Sequence, residues 1–592
     1  MGCKWIMRYV RIKKLHKEVS LMEIADEHRR KTGQVPVIAV DGPRCVWYLY
    51  ENCDFCCGGQ YKEFREACRN FVRQFRNCGV RLVFFFHGLR PAEKYEKWMQ
   101  VAKDNVGKIN QGLQNLHLRG AKALDRVRLP EGVVPCARVI FRDEPSTEVR
   151  LCMGDYNGET AEYAASCENC LGVMSSNGNF LVYKNIPNLF TFDRRLQLNN
   201  GVRMLCFCPS DIASDIGVKR EDMPAFATFL GNDTIETDEL QNVHKRLGCS
   251  YENLQELVCA VAKLVKGKTI EEMCQSAFGD RWQELFESVL AGIGQYDYKP
   301  KVSEAAAVKE SRWSEVLRSI EAKHRSGEIP AVILSVALHR TFRLGEVLED
   351  LAHAKYSSMT TAEVLQPMRH RMYTVLLWES GDGPFRVEEQ MTSSTDRYQL
   401  QVDVDKRLPR SVVHPGLLKL WTGDPETRWR LFSWVVGAPD PDGSTLRSLE
   451  PQSLVVPAVA LHFLRHEARL LSHHEAEVFA VVAVTVGTLT PEQLSKKRIP
   501  TPDPRAIYLS TLFVRTALHV LDVAAVCGLF FPREADCQLD AYFDGKFFHE
   551  LYLKAKAQSF ARVGTDAPWD PTYLDPIHKF LDVIEGSHTD RL

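Results

Sequence analysis

The sequence lacks the continuous apolar run of ~18–20 residues that a bilayer-spanning helix needs. The best stretch, around Phe479–Leu489, is far shorter. It also lacks an excess of either charge: 75 Lys and Arg face 76 Asp and Glu, a net charge of −1. Overall charge therefore supports neither nucleic-acid nor anionic-membrane binding, and any such binding must come from a local patch. Cysteine nearly disappears after Cys274, since 16 of the 18 lie at or before it. That is not the dense framework of a small secreted domain, and a reduced compartment is expected. The N-terminus has basic residues but no apolar region ahead of a small-residue cleavage site, so no signal peptide is expected. Gly2 and Cys3 invite acylation, but Ile6 stands where the myristoylation pattern wants Ser or Thr. There is no Walker-type Gly-rich loop, no Leu-x-x-Leu-Leu segment, no internal repeat and no basic import run of five or more residues.

What is present is globular: 592 residues, 45% apolar, 26% charged and 10% aromatic. At ~150 residues per domain this is two to four folded units. The basic local candidate is 1–32, where nine Lys or Arg outnumber four acids, although a solvated face is the favoured reading.

The first half alternates strand and helix. Val35–Val40 reads as a buried strand ending at an Asp41-Gly42-Pro43 turn, and Tyr61–Cys78 as a helix with Gly79 at its cap. Leu82–Phe86 is a second strand ending at His87-Gly88, Glu159–Glu168 a helix, Leu171–Met174 a third strand and Phe180–Tyr183 a further extended piece. Near-continuous apolar strands alternating with helices imply an α/β domain with a parallel sheet covered on both faces. From residue 329 long amphipathic segments dominate, among them Ile329–Leu351, Leu454–Leu471 and Ala506–Cys527. The expected organisation is an α/β domain over 1–290, a hinge over 291–328, a mostly helical domain over 329–580 and a tail over 581–592.

Ligands of open parallel sheets bind at the carboxyl ends of strands. Those ends carry Asp41, His87 and Ser176-Asn177-Gly178-Asn179. A two-metal site for phosphodiester cleavage needs several carboxylates there, and Asp41 is the one firm strand-end acid. Cys53-x-x-Cys56 and Cys167-x-x-Cys170 have zinc-knuckle spacing, but their apolar context favours buried thiols. His473-His474 and His549 stand near acids with no nucleophile placed beside them, and Phe84–Phe86 suits sheet core better than base stacking.

The opening Met1-Gly2-Cys3-Lys4-Trp5, with Asp41 after an apolar strand and Phe84-Phe85-Phe86-His87-Gly88, resembles flap-endonuclease-like (XPG-type, PIN-type) proteins. More specifically, the chain is similar to the family of the constitutive coactivator of peroxisome proliferator-activated receptor gamma, related to the asteroid proteins. The segments that carry this are Gly58-Gly59-Gln60, Asn169-Cys170-Leu171-Gly172 and Leu230-Gly231-Asn232-Asp233 in the first half. In the second they are Pro367-Met368-Arg369-His370-Arg371-Met372-Tyr373, Pro504-Arg505-Ala506 and Phe543-Asp544-Gly545-Lys546-Phe547-Phe548-His549.

Carried across residue by residue, the nuclease motif keeps Asp41 and Asp233 but has His87 in place of its second acid. The acid pair on the helix before the third strand falls at Asp155 and Asn157, with Glu159 and Glu162 as alternatives, and the pair after it at Asn177 and Asn179. Asn is neutral and holds a divalent ion far more weakly than a carboxylate. After Asp233 the chain runs Thr-Ile-Glu-Thr-Asp-Glu-Leu, with no Gly-rich hairpin to grip phosphate. The resemblance thus implies a flap-endonuclease-like fold with a degenerate cleft (Asp41, His87, Asp155, Asn157, Asn177, Asn179, Asp233) that needs no cofactor or metal. It also implies a nuclear coactivator role, with cytoplasmic presence also possible, and protein partners that include a nuclear receptor held through a surface other than Leu-x-x-Leu-Leu. No membrane is expected as a partner. The alternatives are an RNA- or DNA-binding module using the cleft and the basic N-terminus, and a residual nuclease using Asp41, Asp155, Glu159 and Asp233.

Overall fold

The computed structural model describes residues 2–89, 95–124, 128–192, 196–198, 201–232, 234–235, 237–249, 253–298, 303, 305, 308, 310–346, 361–381, 385–392, 397–405, 407–529, 538–557 and 573–586. The chain forms two compact units, each assembled from discontinuous stretches: 1–48, 69–88 and 141–301 in the first, and 49–68, 89–140 and 302–592 in the second.

The first unit is built on a seven-stranded sheet. Its strands are β1 (Lys17–Ser20), β2 (Val37–Asp41), β3 (Arg81–Phe86), β4 (Thr147–Leu151), β5 (Cys170–Met174), β6 (Leu189–Phe190) and β7 (Arg203–Phe207), in the order β1-β7-β6-β5-β2-β3-β4. The strands from β6 through β4 are parallel, as their apolar runs imply, and β2 and β5 are buried along their whole length. The sheet is nevertheless mixed, because β7 runs antiparallel to β6 and β1 antiparallel to β7. Among the described residues between β6 and β7 there is no helix, whereas a parallel pair needs a crossover that usually contains one. Helices cover the sheet, and Phe84 stacks on Phe141 at 3.9 Å and 3°.

Two expectations fail here. Asp41-Gly42-Pro43 is not a turn but the start of the Gly42–Tyr50 helix. Gly42 is required because a Cβ there would meet the Phe85 carbonyl at 2.6 Å and the Phe86 ring at 2.7 Å. Phe180–Tyr183 is not extended: Gly178–Leu181 is a 3-10 turn, its start capped by Asn177, whose side chain accepts from the Asn179 N–H.

The second unit is mostly helical, but it also holds a three-stranded sheet of β8 (Thr341–Glu346), β9 (Phe385–Thr392) and β10 (Arg397–Val404). Of the expected Ile329–Leu351 helix, the described part is helical over Ala331–His339, after which Arg340 turns left-handed (φ 55°) and the chain enters β8, and residues 347–351 lie outside the described residues. The Pro504–Cys527 helix is capped by Asp503 and ended by Gly528 at φ 76°. It is long and apolar enough to cross a membrane, contrary to the reading that no stretch is, but 83% of its most apolar window is buried inside the protein. It is therefore a core helix here.

Two resemblance motifs anchor this unit. Arg369 on the Gln366–Leu376 helix forms a bidentate pair with Glu389 on β9 at 2.7 and 2.8 Å, and Tyr373 donates to the same carboxylate at 2.7 Å. All three side chains are essentially inaccessible. Burial alone would push the Glu389 carboxyl up, but the bonds from Arg369 and Tyr373 hold it below its ordinary range. The second contact joins segments distant in sequence. The Gly545 N–H donates to the Gly59 carbonyl at 2.7 Å, and a Cβ on Gly545 would collide with the Cys57 carbonyl. Asp54 caps the Cys56 and Cys57 N–H groups at 2.9 and 2.7 Å. Beside it Asp544 is fully buried and caps the Phe547 N–H at 2.9 Å, and burial pushes its carboxyl up to about 7.

Breaking a buried ion pair from one side strands the other charge. Glu389→Gln is expected to cost about 3–5 kcal/mol in chemical denaturation. Asp544 binds its proton more tightly in the folded state than in the unfolded chain, so its contribution falls as pH rises from about 4 to about 7. Asp544→Asn should flatten that part of the stability–pH profile and leave the variant the more stable protein at pH 8.

Candidate functional site

Parallel register brings the candidate residues to one edge of the first sheet. Asp41 lies opposite Phe85 of β3, and Val40 opposite both Phe84 of β3 and Met174 of β5. His87, Asp41 and Ser175 therefore share the carboxyl edge of neighbouring strands. The Tyr156–Ser166 helix starts beside them.

Asp41 is the closed centre of this edge. It is 0% exposed. Ser175 Oγ donates to its Oδ2 at 2.5 Å, the Arg44 N–H donates to its Oδ1 at 3.1 Å, and the Tyr156 hydroxyl also bonds to it. The Arg44 bond is an N-terminal helix cap, the ordinary use of Asp at such a position. Burial raises the Asp41 carboxyl above its usual range, and the bonds from Ser175, Arg44 and Tyr156 offset this only in part. Burial and the neighbouring Asp41 charge push the Tyr156 hydroxyl well up, so it remains protonated and donating.

The network continues through amides. Ser175 Oγ accepts from the Asn177 N–H at 2.9 Å, Asn177 Oδ1 accepts from the Asn179 N–H at 3.1 Å, and Asn177 Nδ2 donates to Asn157 Oδ1 at 3.3 Å. Asp155 caps its helix by accepting from the Gly158 N–H at 3.2 Å and also takes a bond from the Tyr183 hydroxyl at 3.4 Å. Glu159 accepts from the Gly154 N–H at 2.7 Å, while Glu162 is exposed. His87 is exposed at the end of β3, its ring centroid 4.1 Å from that of Tyr156.

The structure thus brings together Asp41, Asn157, Asn177 and Asn179, with His87 reaching the group through Tyr156 and Asp155 on the same helix start. Asp233 lies outside the described residues. Ser175 and Tyr156, the two side chains that close on Asp41, were not singled out from sequence. The signal for Ser175 is the β2–β5 register, which sets the residue after Met174 beside Asp41, and that register is a tertiary fact. Among the described residues no group of three or more His, Cys, Asp or Glu side chains is arranged to hold a metal ion. The carboxylates at this edge are engaged by backbone N–H and hydroxyl donors instead. Of the zinc-spaced pairs, Cys53 and Cys170 are fixed as thiols by burial, which pushes them up to about 12 and about 11.

The chain is similar to the constitutive coactivator of peroxisome proliferator-activated receptor gamma of Bos taurus, with 24% identity across 92% of this chain and 89% of that protein. The Mus musculus and Homo sapiens proteins of the same name match at 28% and 27% identity over 40% of this chain. There the matched region spans only 30% and 26% of the relative's length. The likeness to this coactivator family read from the motifs is borne out. No protein-family model matches the chain. Among solved structures, human GEN1 in complex with Holliday junction DNA matches at 14% identity and TM-score 0.30, over 64% of this chain and 83% of that one. Flap endonuclease-1 from Methanococcus jannaschii matches at 11% identity and TM-score 0.25, over 48% of this chain and 99% of that one. Neither low score bears on activity.

Removing a partner from a buried hydrogen-bonded carboxyl costs about 1–3 kcal/mol. Ser175→Ala, which deletes both the donor to Asp41 and the acceptor of the Asn177 N–H, should lose that much in urea denaturation. His87→Ala, at an exposed position, should lose less than about 0.5 kcal/mol.

Proposed function

We propose that the chain is a non-catalytic scaffold of the nuclear coactivator type, holding partner proteins on the folded surface of a degenerate nuclease-like fold. The likeness to the coactivators supplies the class of role. The single observation that carries the absence of chemistry is the closure of Asp41. A carboxyl already bonded by Ser175, Arg44 and Tyr156 would have to break those bonds to ligate an ion. The positions around it are amides and an imidazole, which cannot supply the concentrated negative charge that two divalent ions need. Under this reading His87, Asp155, Asn157, Asn177 and Asn179 gather at the sheet edge around the closed Asp41, a polar surface of the kind proteins use for recognition, and Asp233 of the same vestigial set lies outside the described residues. The proposed location is the nucleus, and a receptor partner would be met by a folded surface, there being no Leu-x-x-Leu-Leu segment.

One observation favours a second reading, nucleic-acid binding. The Gly2–Ile12 helix buries Ile6, Met7, Tyr9 and Val10 and leaves Arg8 and Arg11 exposed, with Lys13 and Lys14 following, also exposed. Arg8 lies over the Trp5 ring at 5.6 Å. A cationic face of this kind would bind phosphates with steep salt dependence.

The two readings and the residual nuclease separate in one set of assays. Purified protein with flapped or single-stranded DNA or RNA and Mg²⁺ or Mn²⁺ is expected to give no cleavage above that of an Asp41→Ala control. Cleavage that Asp41→Ala abolishes would establish the nuclease. Filter binding of single-stranded RNA at 50 and 200 mM salt is expected to show weak retention at both. Tight retention at low salt, lost steeply at high salt and in Arg8→Ala/Arg11→Ala, would favour the nucleic-acid reading over the scaffold.

A further inference from the structure

The second unit gathers histidines and carboxylates around one helix end. The Leu574–Glu585 helix is seated by Ile577, Phe580 and Ile584, all buried and spaced to form one apolar face. It packs on the Val455–His462 helix, the Phe463–Glu467 turn that follows and the His473–Thr485 helix. Its last residue, Glu585, places a carboxylate at the negative end of the helix dipole, which is unfavourable without a cationic partner.

The partners come from each neighbouring element. His473 Nδ1 lies 2.9 Å from Glu585 Oε1, and on the other side of the ring Nε2 lies 3.4 Å from Glu477 Oε1. From the Phe463–Glu467 turn, Arg465 Nε donates to Glu585 Oε1 at 3.3 Å and His466 Nε2 lies 3.4 Å from Glu585 Oε2. From the Val455–His462 helix, His462 Nδ1 meets the Ile584 carbonyl at 2.7 Å. The remaining charges on these elements are already paired: His474 with Glu477, Glu475 with Arg505, and Glu467 with Arg371. The seated helix itself also carries Asp575, His578, Lys579 and Asp582.

We propose that His473 is a proton-operated latch that fastens the Leu574–Glu585 helix to the second unit, holding it more tightly when the imidazole carries a second proton than when it is neutral. The geometry makes the sign definite. A neutral imidazole can hold the Glu585 bond through one N–H, whereas an imidazolium keeps that bond as a charged one and adds a Coulombic attraction to Glu477 3.4 Å away. Glu585 stays ionised across the range in which imidazoles titrate: burial would raise it, but His473 and Arg465 hold it below the ordinary range. His466 does not duplicate the switch. Burial, followed by the His462 ring 4.8 Å away and Arg465, keeps it from charging until lower pH. The positive N-terminal end of the His473–Thr485 helix opposes a charge on His473, so the effect is a modest one.

Hydrogen exchange on the full chain tests this, with rates corrected for the intrinsic pH dependence of exchange. Partly exposed charge pairs of this kind shift an equilibrium by about two- to fivefold. Protection of the 574–585 amides is expected to fall by that factor between pH 5.5 and pH 8, with the Pro504–Cys527 amides unchanged relative to it. His473→Gln should hold the weaker, high-pH protection at both pH values, and His473→Arg the stronger protection at both. Wild-type protection that does not change with pH would overturn the proposal, as would a pH dependence that survives in His473→Gln. Should that variant fail to fold, Glu585→Gln removes the other half of the latch. An unchanged pH dependence there would be equally fatal.

Discussion

The first unit depends on how Asp41 is satisfied. A carboxyl at the end of a fully buried strand is costly unless every lone pair it offers is used. Here a hydroxyl from the neighbouring strand, a helix N–H three residues on and a tyrosine from a third element share the task. That arrangement fixes where β2 hands over to its helix, how the loop after β5 turns back through Asn177, and where the Tyr156–Ser166 helix begins. Both carboxyl oxygens of Asp41 are thus taken up by bonds that hold the fold together.

The second unit rests on a comparable constraint of another kind. The loop around Gly58-Gly59-Gln60 and the segment Phe543–His549 are nearly five hundred residues apart, yet a backbone hydrogen bond and a position without room for a Cβ lock them together. Arg369 and Glu389 join a helix to a strand in the same way, with charge in place of backbone. Three of the segments that carry the likeness to the coactivators, around Gly59, Arg369 and Gly545, thus have a packing reason to look as they do. This explains why likeness in these segments speaks to fold more firmly than to activity.

Much of this architecture was legible in the sequence. β2, β3, β5 and the Tyr61–Asn77 helix lie where apolar runs and a glycine cap place them, because burial on both faces and helical periodicity leave a direct mark. The mixed edge of the sheet was not legible, since the antiparallel pairing of β7 with β6 and of β1 with β7 is set by strand direction, which leaves no pattern of residue types. Nor was β8, where a left-handed Arg340 ends a helix inside an apolar stretch that reads as continuous. At the site, the strand-end residues could be named one by one, but Ser175 and Tyr156 could not, because their role exists only in the register between strands.

On the proposed reading, this sheet edge does not gather divalent cations. Electron paramagnetic resonance of Mn²⁺ titrated into the metal-free protein measures that directly, because only the free ion gives the sharp solution spectrum. The expected result is a free-ion signal that rises with added Mn²⁺ as it does in buffer alone. Stoichiometric loss of that signal, restored by Asp41→Ala, would contradict it.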